Sequence, residues 1–309
     1  MCRLILHHYG FSNYSEKIRV AMGYKSLDWA SVIVPPVLPK PDLLPLTGGY
    51  RRTPVLQIGA DVYCDTRLIL RELDRWHPEP PLFPEGVTGM ANAVAAWAEG
   101  PLFGAVVLYT WGMNHDLMPP ELFEDRARMW GLPTPSVASV ERAAARNAPL
   151  VRAQLPFIED MLRHGRRWLC GDRFSVADLA VFHPLWFLCD RSLRLARELD
   201  RFGSLRAWMG RVRELGHGRP CAMSAGEALD IAKSSEPVPP RASFHEPEDP
   251  ELGSAVEIRA ADYAKDVIAG RLDLLDDDEM SIRTSNGRVG NIAVHFPRIG
   301  FELRKARAR

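Results

Sequence analysis

The chain has 309 residues, which at roughly 100–200 residues per domain suggests two or three domains. Its hydrophobic fraction of 46% and charged fraction of 25% are those of an ordinary soluble globular protein. The 39 basic and 39 acidic residues cancel, so no global electrostatic attraction draws it to nucleic acid or to an anionic membrane.

No apolar run approaches the ~18–20 residues that span a bilayer, and the N-terminal run ending at His8 is too short for a signal peptide. A cytoplasmic protein is expected. The cysteines are Cys2, Cys64, Cys170, Cys189 and Cys221. Their odd number, wide spacing and lack of a CxxC pair argue against a disulfide framework. Cys189 reads as a small buried hydrophobe.

Residues 3–9 begin an apolar strand. A helix follows from Ser15, with Ile18, Ala21 and Met22 at i, i+3 and i+4 on one buried face and Gly23 placed to end it. Leu27 to Val34 reads as a second strand, and Pro35 to Gly49 as loop or irregular turns. Thr53 to Ile58 and Val62 to Cys64 form a hairpin about Gly59-Ala60-Asp61. Asp65-Thr66 opens a helix to Trp76 with Leu68, Ile69, Leu73 and Trp76 on one face. The order β-α-β-loop-β-β-α suits a small α/β sandwich.

His77 to Pro84 is a proline-rich linker. Helices are then predicted over 87–113, 120–130, 137–164, 175–191, 203–215 and 224–233. Ser175-Val176-Ala177-Asp178 is a capping box with Asp in the usual Glu position, flanked by Phe174 and Leu179 as a hydrophobic staple. It nucleates a helix and does no chemistry. Ser234 to Gly253 is a second linker. Beyond it the pattern has period two: Val256–Arg259, Met280–Thr284, a type I′ turn at Asn286-Gly287, Val289–Phe296 and Gly300–Leu303. This small β module is near the lower limit of independent stability and is expected to dock on the rest.

The stretch Leu6-His7-His8-Tyr9-Gly10-Phe11-Ser12-Asn13-Tyr14-Ser15, then Thr53-Pro54-Val55-Leu56, Asp65-Thr66 and Gly171-Asp172-Arg173-Phe174-Ser175-Val176-Ala177-Asp178 together resemble the glutathione S-transferase family over residues 3–233. The resemblance implies a thioredoxin-like α/β domain (1–80), an all-helical domain (85–233), glutathione as co-substrate, no metal, and a homodimer. The β-rich module (253–309) is outside the family's common pattern.

By that resemblance Ser12 falls on the serine that holds the glutathione thiolate, and the alternative is a plain helix cap. Tyr9 is the second candidate, one position out of register for the family's tyrosine type. Ser15 takes the place of a resolving cysteine, which excludes dithiol exchange. The resemblance makes Pro54 a cis-proline and gives Val55 the cysteinyl backbone of glutathione. Asp65 and Thr66 would meet the γ-glutamyl group at a helix N-terminus, with Asp replacing the usual Glu. Arg52, with Arg51, is placed to meet the glycyl carboxylate. A pocket for the small electrophile would draw on Phe103, Tyr109, Trp111 or Met113, of which most are expected to be core. Gly100, Gly104 and Gly112 suggest bends in that helix. His7 and His8 point to opposite faces of a strand and cannot share a metal. Asp276–Glu279 is a solvated turn, and the basic tail 304–309 is a poor argument for nucleic acid.

Two readings follow: an enzyme that conjugates glutathione to an electrophilic small molecule, or a non-catalytic glutathione-binding or protein-interaction adaptor on the same fold. Fold alone does not choose between them.

Overall fold

The structure is a computed structural model that describes residues 4–241 and 246–306. Cys2 and the last three residues of the basic tail lie outside the described residues. The first domain has the predicted order: β1 (Leu4–His8), α1 (Asn13–Tyr24), β2 (Asp28–Ile33), α2 (Leu43–Thr47), β3 (Val55–Ile58), β4 (Asp61–Cys64) and α3 (Thr66–Trp76). β1 lies parallel to β2 and antiparallel to β3, and β3 pairs antiparallel with β4. This is a thioredoxin-like arrangement. All five residues of β1 are buried, because helices cover one face and a second apolar layer the other.

Two local expectations are corrected. The proline-rich segment 35–49 is not wholly irregular, since it holds α2, closed by Gly48 at φ 64. Gly23 does not end α1. The helix runs on to Tyr24, and a Cβ at Gly23 would lie 2.1 Å from the Gly216 carbonyl oxygen. Glycine is there for close backbone approach, not for capping.

The helical domain comprises α4 (Thr88–Trp97), α5 (Phe103–Met113), α6 (Pro120–Met129), α7 (Val137–Met161), α8 (Val176–Cys189), α9 (Gly203–Glu214) and α10 (Ala225–Lys233). The single helix predicted over 87–113 is continuous but contains a π turn at Ala98–Leu102, where Pro101 removes an N–H from the ladder. Thr88–Met113 reaches the length and mean hydropathy (1.3) of a membrane span, contrary to the sequence expectation. It packs against α7 and α8 as the central helix of its domain. The Ser175 capping box forms: the Ser175 N–H donates to Asp178 Oδ2 at 3.0 Å. Asp178 Oδ1 also accepts from the Leu169 N–H (3.0 Å) and Trp208 Nε1 (2.9 Å), so one carboxylate ties α8, α9 and the preceding loop together.

The third module contains β6 (Ala255–Ala260), β7 (Ile268–Leu275), β8 (Glu279–Asn286), β9 (Gly290–Pro297) and β10 (Phe301–Lys305). β7 escaped the sequence reading because a bulge between Leu272 and Leu274 breaks its alternation. The Asn286-Gly287 turn is not a two-residue type I′ turn. Asn286 pairs with Gly290, and Gly290, at φ 68, supplies the left-handed residue. β5 (Arg219–Ala222) was also missed. Its four residues are exposed and one is proline, yet it adds parallel to β2.

The module does more than dock. β9 pairs parallel with β4, registering Asp61 with Ala293 and Tyr63 with His295. The result is one ten-stranded sheet in the order β10-β6-β7-β8-β9-β4-β3-β1-β2-β5. Ile5, Val55 and Val62 of the first domain share a core with Val256, Ile282, Val294 and Phe296 of the module. That shared burial supplies what some 55 residues alone lack.

Charge reinforces the seam. The buried His295 ring stacks on Tyr63 (4.5 Å), with Nδ1 2.6 Å from Glu279 Oε1 and Nε2 3.0 Å from Asp61 Oδ1. Burial alone would lower its pKa, but hydrogen bonds to the two carboxylates outweigh it and push it to about 9. The native state thus holds a proton more tightly than the unfolded chain, whose histidine titrates near 6.5. The stabilisation, about 3 kcal/mol, is complete below pH 6.5 and lost as pH rises through 9. Urea unfolding of the wild type and of His295→Gln, compared at pH 6 and pH 9.5, should show a gap that closes at the higher pH. A gap independent of pH would mean that folding leaves the His295 pKa unshifted.

Candidate functional site

The β1–α1 turn carries the two hydroxyls singled out from the sequence. Ser12 is buried and caps α1, its Oγ accepting from the Ser15 N–H at 3.1 Å. Capping uses a lone pair and leaves the hydroxyl proton free to donate. The capping and thiolate-holding roles are therefore compatible. Tyr9 follows β1. Its hydroxyl accepts from Arg126 Nη2 at 3.1 Å, and its ring lies 4.8 Å from Phe11 and under Lys40 Nζ at 5.8 Å.

α6 brings Arg126 to this turn together with Asp125. Asp125 pairs with Arg51 and, at 2.6 Å, with Arg126. Lys40 is buried beside them, donating to the Arg51 carbonyl and to Thr53 Oγ1, both at 2.9 Å. Burial first, then the charges of Arg126 and Arg51, lower its pKa to about 7. Three cationic side chains thus surround one carboxylate next to Tyr9. Lys40 and Arg126 were not found from sequence: nothing local marks them, since one lies in a proline-rich loop and the other on a helix of another domain.

The Thr53–Pro54 peptide is cis, as the resemblance implied. Val55 is fully buried and lies inside the ladder, registered with His7 on one side and Cys64 on the other. Thr53, half-buried, lies two residues before β3, with Pro54 between.

Asp65 caps α3 at φ 75, its carboxylate accepting from the Arg67 N–H at 2.9 Å. Burial, followed by the nearby Glu99, raises its pKa. The Thr66 hydroxyl accepts from Lys17 Nζ at 3.1 Å, and Lys17 also pairs with Glu99 of the π turn. The glutamyl candidates therefore sit in a four-residue polar group, two members of which come from α1 and the helical domain. On the other flank the Tyr14 ring packs on Phe103 (5.0 Å) and His183 (4.8 Å).

The remaining candidates lie elsewhere or are occupied. Trp111 packs edge-on against Phe123 of α6 at 5.2 Å. Tyr109 is buried, donating to Glu198 Oε1 (2.7 Å) and accepting from Arg152 (3.0 Å). Of the α5 aromatics considered, Phe103 is the one in contact with α1. Arg52 is not open to solvent: it is bound to Asp262 and the Tyr263 carbonyl of the β6–β7 loop. His7 bonds Gln57 and His8 bonds Ser31, so their rings diverge. Asp276 caps its own turn by accepting from the amides of Asp278 and Glu279, with Asp278 paired to Arg71.

The third module also underlies the cationic segment. The Tyr50 ring, one residue before Arg51, rests on Phe296 (5.6 Å) and Phe301 (6.1 Å). Asn286 donates to the Pro45 carbonyl and Arg288 to that of Pro41. The module thus supports the loop that positions Lys40, Arg51 and Arg52.

Residues 6–81 match the glutathione S-transferase N-terminal domain, and residues 117–215 the glutathione S-transferase C-terminal domain. A solved GST-like protein from Pseudomonas syringae is 37% identical, with 98% of this chain and 100% of that chain covered at a TM-score of 0.79. FtsZ-localized protein A of Caulobacter vibrioides is 26% identical over 181 residues, 57% of this chain and 73% of its own. A glutathione S-transferase from Rhodospirillum rubrum, 22% identical over 68% of this chain and 87% of its own, shares the fold at a TM-score of 0.51. On the match to the Pseudomonas protein, which takes in nearly the whole chain, the protein belongs to the glutathione S-transferase family.

Proposed function

We propose that the protein binds glutathione at the β1–α1 turn and transfers its thiolate to an electrophilic small molecule, as a cytoplasmic homodimer without a metal. The observation that carries this reading is the excess of cationic side chains (Lys40, Arg51 and Arg126 against Asp125) beside a helix N-terminus and a free serine proton. Glutathione carries two carboxylates and gains a third negative charge when its thiol ionises, so that field favours both binding and ionisation.

In this reading the glycyl carboxylate lies toward Arg52, with Lys40 and Arg126 beside it. The peptide runs past Thr53, Pro54 and Val55, with the Thr53–Val55 backbone at the start of β3 meeting the cysteinyl unit. The γ-glutamyl carboxylate meets the amides that open α3 and the Thr66 hydroxyl, and Asp65 takes the amine. The N-terminus of α1 and the Ser12 hydroxyl stabilise the thiolate. The sulfur then attacks the electrophilic carbon, a C–S bond forms, and the leaving group departs with its electron pair. Phe103 and Tyr14 offer the apolar wall nearest the sulfur, ahead of Trp111 and Tyr109.

The second reading, a non-catalytic adaptor, draws on the similarity to FtsZ-localized protein A and on the third module. Turnover discriminates the two. With glutathione and an aryl halide, the wild type should show conjugation by absorbance, and Ser12→Ala should lose about 100-fold in kcat/KM. The same variant should lose only about 1 kcal/mol of stability, the worth of a helix cap. Glutathione binding with no turnover in the wild type would favour the adaptor.

Lys40 gives a second test. An anion bound beside it favours the protonated form. The affinity for S-methylglutathione, which has no thiol to titrate, should therefore fall as pH rises above about 7. Calorimetry on Lys40→Met should show weaker binding with that decline removed. An unchanged pH profile would place the ligand carboxylate elsewhere.

A further inference from the structure

The β6–β7 loop, residues 261–267, leaves the module and crosses to the site. Asp262 forms a two-point pair with Arg52, one arm of it 3.2 Å long, and the Tyr263 carbonyl takes a further guanidinium N–H. The Tyr263 ring is sandwiched between the Arg52 guanidinium (3.8 Å) and the Trp130 indole (4.7 Å, 21° between planes). The Ala264 N–H donates to the Met129 carbonyl at 2.7 Å, pinning the loop to the end of α6. Ala264 itself is held at φ 46, a left-handed conformation that alanine disfavours.

The chemistry of these contacts is that of a bound ligand. A carboxylate on a half-buried arginine, a backbone carbonyl beside it and an aromatic ring over the guanidinium satisfy what a free peptide acid would satisfy. Arg52 Nε remains a buried donor without an acceptor among the described residues, so the loop fills this subsite incompletely. We propose that the β6–β7 loop is a built-in occupant of the glutathione site, with Asp262 standing on Arg52 where a ligand carboxylate would bind, so that glutathione must displace it. The proposal rests on the glutathione reading above. It gives the third module a function: the module sets the apparent affinity of the site by offering a competing carboxylate in the same chain. If the loop occupies the site nine times in ten, the apparent affinity is about tenfold weaker than the intrinsic one.

The test is calorimetry of glutathione with the full chain, for the wild type, Asp262→Asn and Tyr263→Ala, with hydrogen exchange of residues 261–267 followed in parallel. Both variants loosen the same latch and should bind glutathione about tenfold more tightly. In the wild type, saturating glutathione should speed exchange at the Ala264 amide. Glutathione monoethyl ester, with its glycyl carboxylate masked, should gain less from Asp262→Asn than glutathione does. Equal, finite affinities in wild type and variants, with exchange in the loop unchanged by ligand, would overturn the proposal and leave the glutathione site standing. Weaker binding by both variants would make the loop a wall of the site and overturn the competition. No binding by any form at millimolar glutathione would overturn the site reading itself and the competition with it.

Discussion

The pairing of β4 with β9 is the constraint on which the rest of the structure depends. β4 is otherwise the end of the thioredoxin-like sheet, with a row of free backbone groups. The module satisfies that row and extends the sheet, and the Asp61–His295–Glu279 group fixes the register. Register matters because a shift of one residue would turn His295 to the other face and leave the buried Asp61 without its cation, while Glu279 would keep only Arg241. With register set, Phe296 and Phe301 come under Tyr50, and the loop between β6 and β7 comes over Arg52. A seam in the sheet thereby determines the geometry of the site beside it.

The site is a junction of three parts of the chain. The first domain gives Ser12, Tyr9 and Thr53. The helical domain gives Arg126, Asp125 and Glu99. The third module gives the floor under residues 41–50 and the loop over Arg52. The electrostatic balance is set across those parts as well. Lys40 is lowered toward neutrality by its burial and then by the two arginines that crowd it, and it stays in place because the Arg51 carbonyl and Thr53 hydroxyl accept its hydrogen bonds. Such a group is poised to gain charge when an anion arrives, which makes the cost of its burial recoverable on binding.

What was legible in the sequence was local. The βαβ order, the hairpin, the capping box at Ser175 and the cis-proline position each rest on neighbouring residues and a short motif. Ser12 and Asp65 were legible as caps, and both are caps. Lys17, Lys40, Glu99 and Arg126 were not, because each acquires meaning from a partner tens of residues away. Lys17 reads as an exposed helix lysine until Glu99 and Thr66 close on it. Strand β7 was hidden by a bulge, and β5 by its exposure. Gly23 shows the opposite error, where a residue with a familiar local role serves a distant backbone contact.

Arg52 shows why a motif cannot settle a role by itself. Its position beside the cis-proline invites a ligand carboxylate, and the structure does place a carboxylate on it, but the chain's own. A buried guanidinium needs an anion nearby whether or not ligand is present. Here the added module supplies that anion from within the chain, and under the competition proposed above binding would exchange one carboxylate for another. An appended domain that shares a sheet, a core and a buried-edge ion pair at Arg52 with its host is part of the host's own structure, not an independent unit joined by a linker.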